Sequence, residues 1–202
     1  MKTWVKVLIA VVAVLFLLGL FVVSRVIGIN NRIVTLDMGV KSAWGDVQNV
    51  YQRRADLIPN LVETVKGYAA HESGTFEAVT EARAKLGGVI NLPPDAVNNP
   101  ALMQKYRDAQ ASLGSALQRL MVVSENYPQL KANENFLSLQ AQLEGTENRI
   151  AVARRDYNGA VKEYNTFIAL FPNSIIAGFK RVKNAEFYAA DAAAAIAPKV
   201  KF

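Results

Sequence analysis

Two patterns of apolar residues divide the chain. From Val7 to Ser24 no charge interrupts VLIAVVAVLFLLGLFVVS, which predicts a membrane-spanning helix, since roughly 20 apolar residues rising ~1.5 Å each cross a ~30 Å hydrocarbon layer. From Trp44 onward apolar positions recur at three and four: Trp44, Val47, Tyr51, then Ile58, Leu61, Val65, Tyr68, Phe76, Val79 and Leu86. That spacing predicts an amphipathic helix. The interval from Tyr51 to Ile58 is one heptad, so the stripe keeps its phase across Pro59, and the pattern predicts one helix over residues 30–86, bent at the proline. Such a proline costs about 3 kcal/mol by removing an amide donor and crowding the carbonyl four residues back, here that of Ala55.

The stretch GGVINLPPDAVNNP at 87–100 pairs Gly, Pro and Asn and predicts a turn. Leu102, Tyr106, Ala109, Leu113, Leu117 and Leu120 form a further stripe that ends near Pro128, which disfavours helix at Tyr127. Asn133 suits an N-cap, and Phe136, Leu139, Leu143, Ile150, Tyr157, Val161, Tyr164, Ile168 and Phe171 extend a helix of about 35 residues, roughly 50 Å, to Pro172. Beyond FPNS the pattern loosens, and a helix-prone alanine run stops before Pro198. Nothing shows the alternation of a sheet. The expected architecture is all-α: an N-terminal flank (1–6), a transmembrane helix (7–24) and an antiparallel bundle of long helices (25–202).

The exit from the apolar run, VVSRVIGIN, lacks the small residues of a cleavage site, and without cysteine there is nothing to acylate, so the run is expected to remain as a single-pass anchor. Lys2 and Lys6 flank one end and Arg25, Arg32 and Lys41 the other. The compact cluster in the first six residues favours a cytoplasmic N-terminus and an extracytoplasmic bundle. The formal charge of +6 falls to +3 when Lys2, Lys6 and Arg25 are set aside, too little to mark a nucleic-acid surface.

With no cysteine and His71 as the one histidine, a Cys-His nucleophile, a Ser-His-Asp triad and a histidine–thiolate zinc site are closed off. His71 reads as a solvated helix residue. Glu63, Glu72, Glu77 and Glu81 lack the Glu-x-x-His partners of a di-metal carboxylate bundle and read as a charged face. No catalytic residue, cofactor or metal is expected. The one polar feature set into the stripe is Arg54, within Arg53-Arg54-x-Asp56 and close to Pro59, Glu63 and Glu72. Arg54 either pairs with an acidic residue on the facing long helix or partner, or snorkels with its head in water. Arg53, Arg54, Asp56, Pro59, Glu63 and Glu72 are the candidate partner-binding residues. FKRVKNAEF at 179–187 could lie on anionic lipid, but its shortness favours the packed end of the bundle.

RRADLIPNLVETVKGYAAHE at 53–72, YNTFIALFP at 164–172 and the terminal PKVKF, with AWGDVQNVYQ before and RRDYNGAVKE between, resemble the LemA family of bacterial membrane-anchored helical proteins. The resemblance covers most of the chain and implies a membrane protein with a soluble antiparallel bundle that works with envelope partners and carries no catalytic residue. GFKRVKNAEFYA departs from the Gly-Phe repeat usual there. The expected function is a non-enzymatic scaffold or adaptor that self-associates or binds envelope membrane proteins through its helices, in contact with membrane lipid and not with nucleic acid. The alternative is a regulatory or client-presenting subunit of a membrane metalloprotease in envelope stress. A hydrolase ranks below both, for want of any nucleophile-base pair.

Overall fold

The computed structural model describes residues 3–69 and 71–189. Among these there is no strand, and the all-α expectation holds. α1, Thr3–Lys66, is one uninterrupted helix of 64 residues, about 96 Å long at 1.5 Å per residue. It carries the apolar run outward, with none of that run buried, and continues without a break into the bundle, where Ile33 is its first buried residue. Its helical path includes Pro59, which is exposed.

The expectation of one helix through residue 86 fails further on. After Lys66 the chain tightens, with the Tyr68 and Ala69 amides both donating to Val65 O (3.0 and 2.9 Å). α2, Ser73–Gly87, then runs back in the opposite sense, packed most closely on the helix that follows it at residues 100–125. The reversal is fixed at its far end by Gln48, whose Nε2 donates to the carbonyl oxygen of Leu92 at 3.0 Å, and by Lys41, which bonds Asp95 at 2.7 Å. Residues 92–95 therefore lie beside residues 41–48. Folding back lets Phe76, Val79, Ala82 and Leu86 share a core with Ile58, Leu61 and Val65. A straight helix would carry that apolar face away from them, and burial of such a face outweighs the continuity of a helix.

A 3-10 turn, Pro94–Asn98, leads into α3, Pro100–Glu125, whose N-cap Asn99 accepts from the Ala101 and Leu102 amides at 3.1 and 3.2 Å. The short α4, Pro128–Lys131, follows Tyr127, which stands outside helical geometry as a residue before proline should. α5, Glu134–Ala169, is capped at Asn133, which accepts from Phe136 N at 3.0 Å, and spans 36 residues. α6, Asn173–Phe179, and an extended strap at 182–189 complete the described chain. The alanine run, Pro198 and PKVKF lie outside the described residues. Arg32 meets Glu163 and Arg54 meets Glu147, so α5 runs antiparallel to α1. The order is up, down, up, down: α1, α2, α3, α5.

Most stripe residues are buried, but Tyr68 and Phe171 are exposed, and Leu102, Ala109 and Leu139 are half-buried. The core falls into two clusters. The one nearer the apolar run joins Trp44 and Tyr51 to Tyr106, Tyr157, Tyr164 and Tyr188. The distal one is almost entirely aliphatic, with Leu61, Val65, Leu86, Leu113, Leu120 and Leu130 among its members.

Candidate functional site

Between the two clusters lies a layer of polar side chains. On α1 it falls between Tyr51 and Ala55, on α3 between Tyr106 and Leu113, and on α5 between Leu143 and Ile150. Arg54, Gln110 and Thr146 occupy those gaps and are all buried. Arg54 is only 4% exposed. It donates to Glu147 Oε1 at 2.9 Å, to Gln110 Oε1 at 2.6 Å and to Gln110 O at 3.1 Å, and its guanidinium lies 4.9 Å from the centre of the Tyr51 ring. Thr146 satisfies its hydroxyl on Gln142 O, 2.7 Å away. Arg54 Nε and Gln110 Nε2 are buried without a hydrogen-bond partner. The pairing with a facing helix is the alternative that the structure selects over snorkelling.

The layer opens sideways. A groove of about 920 Å³ runs between α3 and α5, with Arg54 at its floor and Gln110, Leu117, Met121, Leu143 and Glu147 on its walls. Arg154 stands at its end nearer the aromatic cluster. There it donates through Nε to Tyr51 Oη at 2.7 Å and lies 4.4 Å from the Tyr188 ring centre, while the Tyr51 and Tyr188 hydroxyls share a 2.8 Å hydrogen bond. Burial, reinforced by Tyr188, pushes the Tyr51 phenol well above its usual range. Burial likewise raises Tyr106, Tyr157 and Tyr164. These hydroxyls are built to stay protonated.

The strap is held residue by residue. Asn158 accepts from Tyr188 N at 2.8 Å and donates to Tyr188 O at 3.0 Å, and Asn165 does the same for Ala185, both at 2.9 Å. Tyr157 and Tyr164 donate to the carbonyls of Glu186 and Lys183 at 2.7 and 3.0 Å. One heptad separates Asn158 from Asn165, and the same interval separates Tyr157 from Tyr164. An extended segment advances about 3.3 Å per residue against 1.5 Å for a helix, so partners three residues apart on the strap meet α5 residues seven apart.

Of the residues singled out from the sequence, the structure brings only Arg54 into this layer. Arg53, Asp56, Pro59 and Glu63 are exposed; Asp56 bonds Gln52 at 2.7 Å, its neighbour one turn back, and not Arg53. Glu72, at the far end, accepts from the Tyr127 hydroxyl at 3.3 Å, and His71 is exposed. Gln110, Glu147, Arg154 and Tyr188 went unmarked. Gln110 had a signal, being a polar residue four after Tyr106 and three before Leu113 in an apolar stripe, the same kind of interruption as Arg54. Among the described residues no three acidic, histidine or cysteine side chains gather as a metal site would need.

A family model described as the LemA family matches residues 43–202. The chain belongs to the LemA family. Two magnetosome proteins MamQ of Paramagnetospirillum magneticum are each 29% identical over 177 residues, covering 78% of this chain and 64% of the relative. Protein LemA of Metamycoplasma hominis is 22% identical over 151 residues, covering 75% and 64%. The matches thus span just under two thirds of these relatives. Neither the family description nor these names carries a catalytic activity, and with the long apolar helix they make this LemA-family chain a membrane-associated protein.

Proposed function

We propose that this LemA-family protein is a non-enzymatic, membrane-anchored scaffold that self-associates by seating a helix of a second copy in the groove between α3 and α5. The observation that carries the reading is the floor of that groove. A buried arginine and glutamine each hold an unpartnered donor there, beside Leu117, Met121 and Leu143. Apolar walls with a few fixed polar groups suit a helix laid lengthwise, the polar groups setting its register. Among the charged residues of the lining, Arg54 and Glu147 neutralise each other, which leaves Arg154 as the cation for a carboxylate of the second copy's helix to meet. On this reading the bundle stands outside the cytoplasmic membrane.

The cysteine-free chain makes the test direct. Ser115, exposed on the groove wall, is replaced by cysteine, and the full chain in native-lipid particles is treated with a short bifunctional maleimide. Crosslinked dimer from Ser115→Cys but not from Glu77→Cys on α2 is the expected result. A strictly monomeric protein in detergent and in native-lipid particles at micromolar concentration overturns self-association and moves the metalloprotease-adaptor reading ahead. Labelling of Gln129→Cys by a membrane-impermeant maleimide, in cells with any outer membrane permeabilised, is expected if the bundle is extracytoplasmic. Labelling only after lysis places it in the cytoplasm.

A further inference from the structure

α1 is a ruler that passes from the apolar run into the bundle without interruption, so the height of any residue paired with it above the hydrocarbon edge can be read at ~1.5 Å per residue. Taking Ser24 as that edge, Asn30 stands about 9 Å above it and Arg32 about 12 Å. Lys180 donates to Asn30, and Glu163 bonds Arg32 at 2.6 Å. Because α5 descends, Ala169 lies six residues below Glu163 and at the height of Val26, about 3 Å from the edge. The headgroup layer reaches some 5–8 Å beyond the hydrocarbon on each side. The end of α5 and the whole of α6 therefore stand in or against that layer.

The surface presented there is unlike the rest of the bundle. Phe171 is 80% exposed and Phe179 86%, with Leu170 and Ile175 more than half exposed. Between Glu163 and Glu186 the chain has no acidic residue but carries Lys180, Arg181 and Lys183, and α1 contributes Arg25 and Arg32. The cap of α6 adds a backbone observation. Val182 N bonds Ala177 O and Arg181 N bonds Gly178 O, both at 3.0 Å, the double bond pattern in which glycine usually holds the left-handed position. Here Arg181 holds it, with φ 52, a conformation a side chain disfavours.

We propose that the α5–α6 corner is a second membrane contact, a foot that sets Phe171, Ile175 and Phe179 into the bilayer interface and Lys180 and Arg181 against anionic lipid headgroups, so that the bundle stands at a fixed tilt on its anchor. Large apolar rings beside cations are the composition of interfacial segments. The packed-end reading of FKRVKNAEF holds for Ala185, which is buried, but not for Phe179. Alone, the segment was too short to decide. Its position beside the span supplies what length did not.

The proposal rests on residues 7–24 spanning the membrane, and the experiment separates the two. Single cysteines at Leu15, Ile175 and Gln129 carry a spin label in the full chain, reconstituted in bilayers with and without phosphatidylglycerol. Depth is read from collisions with oxygen against a water-soluble nickel chelate. Leu15 is expected deep, Ile175 interfacial and Gln129, at the far end, aqueous. Leu15 in water would sink the span itself; Leu15 deep with Ile175 as nickel-accessible as Gln129 overturns the foot alone. Replacing Phe171 and Phe179 by serine is expected to move the Ile175 label into water without changing the melting temperature, since neither ring is in the core. Arg181→Gly is expected to raise the melting temperature while weakening the effect of phosphatidylglycerol on depth, a split that a purely structural arginine would not give. Equal depth of Ile175 with and without the anionic lipid overturns the headgroup contact.

Discussion

The two halves of the core are built on different chemistry. The half nearer the membrane is aromatic and hydrogen-bonded: Trp44 lies 5.0 Å from Tyr106 and 5.6 Å from Tyr157, and the hydroxyls of Tyr157 and Tyr164 are spent on the strap. The distal half is mostly leucine, valine and alanine, with Ile58, Phe76 and Phe136, around one reversal, and it buries no tyrosine or tryptophan among the described residues. An aliphatic core asks mainly for volume and tolerates rearrangement, whereas a buried hydroxyl that finds a partner, as those of Tyr51, Tyr157 and Tyr164 do, specifies one place. The proximal half therefore fixes geometry, where the bundle meets its anchor, and the distal half supplies cohesion. Between them Arg54 joins three helices, so that neither cluster can slide along α1 without breaking its bonds to α3 and α5.

The largest test of that contrast is Trp44→Ala. The side chain is fully buried among rings, and removing a packed tryptophan costs about 3–5 kcal/mol. Leu113→Ala in the distal half is expected to cost about 2–5 kcal/mol but to leave the near-ultraviolet dichroism of the aromatic half unchanged. Denaturant unfolding of the detergent-solubilised protein, followed by both probes, checks the order. Equal loss of the aromatic signal in both variants breaks the division of labour.

Alkali should act on one half first. Tyr51, Tyr106, Tyr157 and Tyr164 all have phenols raised by burial. A phenol that keeps its proton in the fold but loses it near pH 10 when unfolded contributes stability that is intact below pH 10 and falls as pH rises above it, by up to about 1.4 kcal/mol per unit for each group. The aromatic half is expected to melt between about pH 10 and 12, seen as phenolate absorbance appearing together with loss of ring dichroism. Phenolate absorbance that titrates fully near pH 10 in a folded protein would show the hydroxyls to be open to solvent.

In the polar layer the two partners are not equivalent. Glu147 is 48% exposed and Arg54 4%, so removing the arginine strands no buried charge, whereas removing the glutamate leaves a buried guanidinium to the two Gln110 oxygens. Arg54→Met is expected to cost about 1 kcal/mol, because the buried Gln110 side chain loses the donor to its Oε1, and Glu147→Ala to cost more, up to about 3 kcal/mol, yet less than breaking a fully buried pair because Gln110 remains. The reverse order in thermal melts would mean that Arg54 is held by packing and not by its charge. Either variant that abolishes the Ser115→Cys crosslink while staying folded ties the layer to self-association.

What the sequence made legible follows from the same contrast. Helix identity, the Asn133 cap, the turn at 87–100 and the position of Arg54 in the stripe were visible because they depend on neighbours within a turn or two. The strap was not, because Tyr188 and Ala185 acquire their meaning from Asn158 and Asn165, across a change from extended to helical rise. The reversal at 67–72 was hidden for a sharper reason. Val65, Ala69 and Phe76 keep helical intervals through it, so phase alone suggested continuity, and Pro59, the residue with the stronger reputation as a breaker, lies inside the helix. Phase reports which face is apolar. It does not report which helix that face will meet.

The smallest predicted effect tests what makes the chain turn there. Gly67 begins the reversal but does not have positive φ, and an added Cβ would meet Thr64 O at 3.5 Å, an ordinary contact. If the reversal is driven by burial of the α2 face in the distal core, glycine is not required, and Gly67→Ala should stabilise the protein by a few tenths to about 1 kcal/mol through helix propensity and a less mobile unfolded chain. The hydrogen bond from Asn133 to Tyr68 Oη, 2.9 Å in the structure, should survive, and spin labels at Glu77 and Gln129 should keep their separation. A lower melting temperature, or a longer separation that marks a straightened helix, would assign the turn to the freedom of glycine and take it away from the aliphatic core.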